Sequence, residues 1–322
     1  MVFLAVAKLA KIWQDKSYKE DNMGYLVNGE WRLGHMPMEK GEFVRQPSVL
    51  RGILTQKDVA ANPYRYDLYV SHACPWAHRT VIMRHLKGLE QYINVHIVEP
   101  YMGEDGWSFE NPEPNIGAKL LRDIYLSDPS YTGRVTVPLL WDKETGSIVN
   151  NESSEIIEMF NSCWDGLEGA SKTDYMPHDL KSKMDPLNDW IYEHINNGVY
   201  RTGFAESQDV YRDECEALFK ALDQLEQMFN GREYLVTDTL LATDIRLFVT
   251  LIRFDWVYVG HFKCNIRRIA DYPNISRYLK NIYGQVASTV NKDHIKNHYY
   301  QSHPWINPNQ IVPLGPDIDY SK

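Results

Sequence analysis

The residue most able to do chemistry is Cys74. In "DLYVSHACPWAHRTVIMRHL", residues 67–86, an alternating strand with Leu68 and Val70 on one face runs into Cys74, and a helical pattern begins at once. A residue at a helix N-terminus faces unpaired N–H groups and the positive end of the helix dipole, and both favour an anion. A thiol there gives up its proton more readily, and the thiolate is the nucleophile. Pro75 has no N–H to leave unsatisfied and is pre-set for the first helical turn. Trp76 can shield one side of the sulfur, and His78 or Arg79 can add positive field. The corner predicts an activated sulfur; the bland alternative is a structural junction whose cysteine is filler.

Position 77 is alanine, so Cys74 has no partner in C-x-x-C spacing. A dithiol oxidoreductase resolves its mixed disulfide with the second cysteine. Here a small external thiol must do so, and glutathione is the obvious candidate. Its carboxylates need seats. In "GRVTVPLL", a cis peptide at Val137-Pro138 would turn backbone N–H and C=O groups of Val137 toward a peptide ligand. In "NNESSEIIEMF", Glu152 and Ser153 open a helix whose N-terminus can hold a carboxylate, while Glu152 can meet an ammonium. Each feature alone is common, and Glu-Ser at a helix start is usually a cap. Their order after a strand-Cys-Pro-helix unit is the informative part. Cys163, Cys215 and Cys264 read as small buried hydrophobes. The histidines lack ligand spacing with cysteines or carboxylates, so no metal is expected, and His298 and His303 read as structural or as lining a site.

The elements that must position these groups follow from periodicity. A strand over 66–71, a helix over about 75–88 and a strand over 93–99 form a β-α-β unit, which favours a parallel pair with a right-handed crossover. "RVTVPLLWD" and "GSIVNN", joined by "KETG", read as a hairpin, and a helix starts near Glu152. Residues 165–177 are small, polar and Gly-containing, a linker. Beyond it the chain turns helical. Leu180, Met184, Leu187, Trp190, Ile191 and Ile195 share one face, with Pro186 either kinking that helix or marking its start. "SQDVYRDECEALFKALDQLEQMFNG" has Ser207 or Asp209 as cap, a stripe of Leu218, Leu222, Leu225 and Phe229, and Gly231 as stop. "LATDIRLFVTLIRFDWVY" and "NISRYLKNIYGQV" add two more helices. The expected division is an N-terminal extension of loops rather than core (1–63), an α/β domain (64–165), an all-helical domain (178–300) and a proline-rich, irregular tail (301–322).

The totals exclude several classes. The 322 residues are 43% hydrophobic and 24% charged, as a packed globular protein requires. A net charge of −9 without a Lys/Arg-rich run argues against a nucleic-acid partner. The opening "MVFLAVAKLAKIWQDK" has an apolar run broken by Lys8 and Lys11, unlike a secretory signal, and reads as an ordered or half-ordered extension. No segment approaches the roughly 20 apolar residues that span a bilayer. Four cysteines make no disulfide framework, which points to a reducing, cytoplasmic setting.

The segments "CPWAHR" (74–79), "GW" with Phe109 (106–109), "TGRVTVP" (132–138), "NESSEII" (151–157), "NNGVYRTGFA" (196–205), "TDIRL" (243–247), "RFDWVYVGHFKCN" (253–265) and "DHIKNHYYQSHPWINP" (293–308) together resemble those of the glutathionyl-hydroquinone reductases. These are the Xi class of glutathione transferases, related to the omega class, and the resemblance covers nearly the whole chain. It implies an α/β plus all-α architecture: a thioredoxin-like N-terminal domain followed by an all-helical glutathione-transferase C-terminal domain, assembled as a homodimer. The implied activity is thiol-dependent reduction of glutathionyl-hydroquinones. Cys74 would be the nucleophile. Trp107, Arg134, Val137, Glu152 and Ser153 would bind glutathione, and Tyr200, Tyr258 and Tyr299 would line the quinol pocket. A Gly-containing break in "NNGVY" would end a helix and aim Tyr200 into a cleft, where its phenol can act as an acid toward the leaving oxygen. Tyr299 and Tyr300 are adjacent and should face apart, with Tyr299 in the site.

Two departures stand out. Leu241 replaces the family's Ser or Thr three residues before Asp244, so that helix cap is lost or shifted to Asp238 or Thr239, at a cost of roughly 1 kcal/mol. "NIYGQVASTVN" is also shorter than the family's loop and lacks its proline. The alternatives are an omega-like thioltransferase or dehydroascorbate reductase using the same cysteine, or a non-catalytic glutathione-fold binding module. Conjugation to electrophiles suits a serine or tyrosine better, because a cysteine here tends to bind glutathione covalently.

Overall fold

The computed structural model describes residues 24–34, 38–39, 42–43 and 48–321; the expectation for the apolar run at the N-terminus lies outside the described residues. The first strands, β1 (Gly24–Val27) and β2 (Glu30–Leu33), are antiparallel. Asn28-Gly29 joins them with both φ angles positive (48° and 76°), the combination a two-residue hairpin turn demands. β1 also pairs with the short strand Gly133–Arg134, and Leu26 is fully buried. Helix α1 (Gln56–Ala61) is capped by Thr55 and buries Val59. The segment before residue 64 therefore supplies core, contrary to the expectation of loops alone. Its apolar residues are too sparse to show a period, and they are buried only because other strands cover them.

The expected β-α-β unit is β3 (Tyr66–Val70), α2 (Pro75–Leu86) and β4 (Asn94–Ile97), with β3 and β4 parallel in the register Asp67↔Asn94 to Val70↔Ile97. A short helix α3 (Leu121–Tyr125) precedes the hairpin of β5 (Leu139–Asp142) and β6 (Ser147–Asn150). The sheet order is β6-β5-β3-β4, with β5 antiparallel to both neighbours. Helix α4 (Ser153–Ser162) packs with α2. All five residues of β3 are buried. A strand enclosed on both faces cannot slip without exposing apolar surface, so the position of its C-terminal end, and of the cysteine beyond it, is fixed.

Across the linker, the fully buried Lys87 ammonium bridges Asp165 Oδ1 (2.8 Å) and the Thr173 carbonyl (2.9 Å). The helical region then comprises α5 (Lys181–Ile191), α6 (Gly198–Gly203), α7 (Gln208–Met228), α8 (Ala242–Arg253), α9 (Pro273–Val286) and α10 (Lys292–Ser302). Ser207 caps α7 through the Val210 N–H, and Gly231, with φ +73°, stands beyond its end. Leu218, Leu222, Leu225 and Phe229 are buried as the stripe requires. Pro186 lies inside α5, not at its start. π-helical turns at Tyr192–Asn196 and Phe254–Tyr258 follow α5 and α8. Gly198 opens α6 directly after the π-helical turn, and a Cβ there would stand 3.3 Å from Leu218. Helix α10 was not expected from periodicity, since its buried face is built from His294, Ile295, His298, Tyr299 and Ser302, which do not read as an apolar stripe.

At the start of α8 the cap has not moved to Asp238 or Thr239. Leu241 occupies the N-cap position with its side chain buried, and Asp244 supplies the reciprocal half alone, accepting from the N–H groups of Leu241 and Leu235 (both 3.0 Å). Burial raises the Asp244 carboxyl to about 6, against the opposing effect of those hydrogen bonds. The folded state therefore binds this proton more tightly than the unfolded chain, whose aspartates titrate near pH ~4. Its contribution to stability falls as pH rises from about 4 to about 6. Replacing Asp244 with Ala should strand two buried N–H groups and cost about 2–4 kcal/mol. Denaturant unfolding of both proteins between these pH values checks it, with the variant lacking that part of the slope.

Candidate active site

Beyond β3, the N–H of Cys74 donates to the Ser71 carbonyl (3.1 Å), closing the turn into α2. Cys74 is the N-cap residue of α2, with extended backbone (φ −73°, ψ 118°), and Pro75 occupies the first helical turn. The sulfur is half-buried and, as the thiol, donates to the Val137 carbonyl 3.5 Å away. Val137-Pro138 is cis, as its place in the sequence suggested. The corner therefore has the geometry read from the sequence, with Val137 across from the sulfur.

Cys74 opens into a cleft of about 160 Å³ that brings together Trp76, Trp107, Arg134, Val137, Tyr200 and Tyr299. The Tyr200 and Tyr299 hydroxyls lie 2.7 Å apart, and Tyr258 reaches Tyr299 at 3.2 Å. Tyr258 itself is fully buried, stacked on Phe262, and stands behind the wall rather than in it. Burial, reinforced by the neighbouring Tyr200, holds the Tyr258 and Tyr299 phenols well above their ordinary range, so both are neutral at any physiological pH. Tyr300 turns the other way, against His261. Glu152 and Ser153 are not part of the cleft lining. Glu152 caps α4, accepting from the Ser154 N–H (3.0 Å) and from the Ser48 hydroxyl (3.1 Å), and Ser153 is buried at the first turn.

Of the two basic residues after the cysteine, His78 does not add the positive field expected of it. His78 is fully enclosed, and burial followed by the charge of Arg253 keeps its imidazole well below the usual range, hence uncharged. Arg79 faces the helical domain, over the Trp76 ring (4.5 Å) and bonded to Asn196 Oδ1 (2.8 Å). Arg253 also reaches the corner. Its Nε and Nη2 donate to the carbonyls of Ala73 and His72, both at 2.8 Å.

The cleft also contains residues not assigned to it from the sequence. Gly24 and Trp31, from the β1–β2 hairpin, form one wall. The Trp31 Nε1–H donates to the Glu104 carbonyl (3.0 Å) and Arg122 covers its ring (4.9 Å). A Cβ on Gly24 would come within 2.0 Å of that ring, so glycine is needed for the indole to lie there. The Asn28-Gly29 dipeptide was the available signal. Phe204, His298 and His303 complete the aromatic side. His298 stacks on Trp107 (4.7 Å) and donates from Nδ1 to the Pro100 carbonyl (2.8 Å), and burial lowers it to about 4. His303 meets His261 at 3.0 Å. Among the described residues no cluster of three or more His, Cys, Asp or Glu is arranged to hold a metal ion. Removing the wall with Trp31→Ala should speed labelling of Cys74 by a bulky maleimide several-fold while leaving labelling by iodoacetamide nearly unchanged, as followed by peptide mass spectrometry.

Comparison with known proteins agrees with this geometry. The family model of the glutathione S-transferase N-terminal domain matches residues 73–163, and that of the C-terminal domain matches residues 208–281. The glutathionyl-hydroquinone reductase PcpF of Sphingobium chlorophenolicum is 50% identical over 304 residues, spanning 91% of this chain and 96% of that protein. The glutathionyl-hydroquinone reductase YqjG of Escherichia coli K12 is 48% identical over 320 residues, spanning 92% and 97%. The glutathione-bound structure of YqjG has a TM-score of 0.83 at 45% identity, covering 93% of this chain and 97% of that one. An Xi-class glutathione transferase from Natrialba magadii has a TM-score of 0.88 at 42% identity, covering 95% and 98%. With a thioredoxin-like N-terminal domain, an all-helical C-terminal domain and relatives of this identity along nearly its whole length, the chain belongs to the Xi class of glutathione transferases, the family of the glutathionyl-hydroquinone reductases.

Proposed function

We infer that the protein is an enzyme that reduces glutathionyl-hydroquinones to hydroquinones at the expense of glutathione. The observation that carries this reading is a single cysteine at a helix N-terminus sharing one cleft with the hydrogen-bonded Tyr200–Tyr299 pair. The cysteine suits attack on sulfur, and the apolar aromatic wall suits a ring with hydroxyl substituents.

Glutathione takes the side of the cleft lined by Trp107, Arg134 and Val137. The Val137 backbone pairs with the peptide, and Arg134 meets a carboxylate. Glu152 and Ser153, at the start of α4, receive the γ-glutamyl end, which requires Glu152 to exchange a capping partner for the ligand's ammonium. The ring lies against Tyr200 and Tyr299, with Tyr258 supporting Tyr299 from behind. In the first displacement the Cys74 thiolate attacks the glutathione sulfur of the keto tautomer of the substrate. An S–S bond forms and the sulfur–carbon bond breaks. Its electron pair enters the ring as an enolate, whose oxygen takes a proton from Tyr200 to give the hydroquinone. The ring is reduced by two electrons, and the two sulfurs are oxidised to a mixed disulfide. In the second displacement a glutathione thiolate attacks the glutathione sulfur of that disulfide, releasing oxidised glutathione and the Cys74 thiolate. Tyr299, bonded to Tyr200 and backed by Tyr258, stabilises the resulting phenolate, and the proton released by the incoming glutathione thiol restores Tyr200.

The same reading places the enzyme in the cytoplasm as a homodimer, with domains at 64–165 and 178–300. Four free cysteines accord with a reducing compartment, and among the described residues no helix is long and apolar enough to cross a membrane.

Replacing Cys74 with Ser should abolish the glutathione adduct seen by intact-mass measurement after treatment with oxidised glutathione, and lower turnover of a glutathionyl-hydroquinone by at least about 10³-fold. Retention of most activity would remove Cys74 as nucleophile. Tyr200→Phe should lower kcat by roughly 10²-fold and leave the adduct in place. A substrate with both ring hydroxyls methylated should not turn over at all, because it cannot reach the keto form.

A further inference from the structure

We propose that Arg253, carried by the helical domain, is the positioning cation of the Cys74 corner: it clamps the two carbonyls that precede the cysteine, and the sulfur anion balances its charge. The inference rests on reading Cys74 as the nucleophile and adds to it the source of the positive charge.

Arg253 is fully buried, and its hydrogen bonds go to three backbone carbonyls and an imidazole. Nε and Nη2 donate to the Ala73 and His72 carbonyls, Nη1 to the Val249 carbonyl (2.6 Å) and to His78 Nδ1 (3.1 Å). A guanidinium only donates, so His78 must accept on Nδ1 and carry its proton on Nε2. That proton points to the Thr289 hydroxyl (2.9 Å), which donates onward to the Val286 carbonyl (2.7 Å). The tautomer is thus assigned by its partners, and His78 carries no charge.

Less enclosed arginines have carboxylate partners: Arg65 has Asp142 and Glu144, and Arg201 has Glu193 and Glu214. Among the described residues no carboxylate forms an ion pair with Arg253. A buried cation without a counter-charge is strongly unfavourable. The titratable groups that feel it are His72, His78, His294 and His298 and the phenols of Tyr258 and Tyr299. Burial acts on every one of them in the direction of the neutral form. Cys74, next in the chain to Ala73, remains as the group at this corner able to become negative. Its field also reaches the cleft, since it acts on Tyr299 and His298, both of which line it. The two ends of the clamp are 180 residues apart in sequence, so the thioredoxin-like domain completes its nucleophile only when the helical domain docks.

The test is the rate of Cys74 alkylation by iodoacetamide across roughly pH 5 to 9, read on the Cys74 peptide so that Cys163, Cys215 and Cys264 do not contribute. In Arg253→Gln the midpoint of the rate profile should move upward, with alkylation near pH 6 slower by about tenfold. Arg253→Lys, which keeps the charge and loses the fork, should retain most of the wild-type midpoint. A folded Arg253→Gln whose profile superimposes on wild type overturns the proposal. The reciprocal measurement leaves Arg253 intact. If its charge is paired with the sulfur anion, wild type should gain stability over Cys74→Ser as pH rises through the thiol titration, and a difference independent of pH also overturns it. Neither readout needs a quinol, so loss of the proposed substrate would leave both standing.

Discussion

The structure turns on holding one sulfur at the end of a strand that cannot move. β3 is buried on both faces and paired on both edges, so the turn that follows it starts from a fixed point. The Ser71 carbonyl takes the Cys74 N–H, and α2 begins with Pro75. The helix then offers its unpaired N–H groups and the positive end of its dipole to the sulfur. Arg253 fastens the same turn from outside the domain. A shift of any one of these would carry the sulfur away from Val137, across the cleft from it. Orientation at this precision is where much of a catalytic rate resides.

The other side of the cleft is governed by burial rather than charge. Tyr200, Tyr299 and Tyr258 share one chain of hydroxyls within an aromatic wall, and the histidines beside them are held neutral. A low-dielectric surround strengthens hydrogen bonds and leaves an unpaired charge very costly. The wall therefore presents donors and ring faces without fixed charge, which suits a neutral aromatic substrate. Its geometry comes from an interlock between domains. The Met102 N–H donates to the Ser302 hydroxyl of α10 (2.9 Å), and Pro100 receives His298 of the same helix. Trp107, in the hairpin that follows, stacks on that histidine.

Short loops also become functional parts here. The connection between α9 and α10 places Thr289 under His78 and lets Asn291 cap α10. At α8 the missing hydroxyl cap is offset in part by burying Leu241 and by Asp244, which gathers two backbone donors. An apolar residue at this N-cap forgoes one local hydrogen bond and gains buried surface.

How much was legible in the sequence follows from the range of the interactions. The β-α-β and β-β-α order, the corner at Cys74, the capped helix after Ser207 and the place of the Val137-Pro138 peptide all rest on residues a few positions apart, and periodicity, caps and turn chemistry report such contacts directly. The β1–β2 hairpin was written in Asn28-Gly29 but carried no visible reason to touch the site. Helix α10 was hidden because its buried face is made of histidines and tyrosines, which become core only where other rings enclose them. The sequence by itself thus determined the strand-to-helix corner at Cys74, the family and the order of elements. Tertiary structure alone decided that His78 is uncharged, that Arg253 takes its place, that Tyr258 stands behind Tyr299 and that Trp31 walls the cleft. The charge on a side chain and the partner it meets depend on what excludes water around it, and that is set by segments far away in the chain.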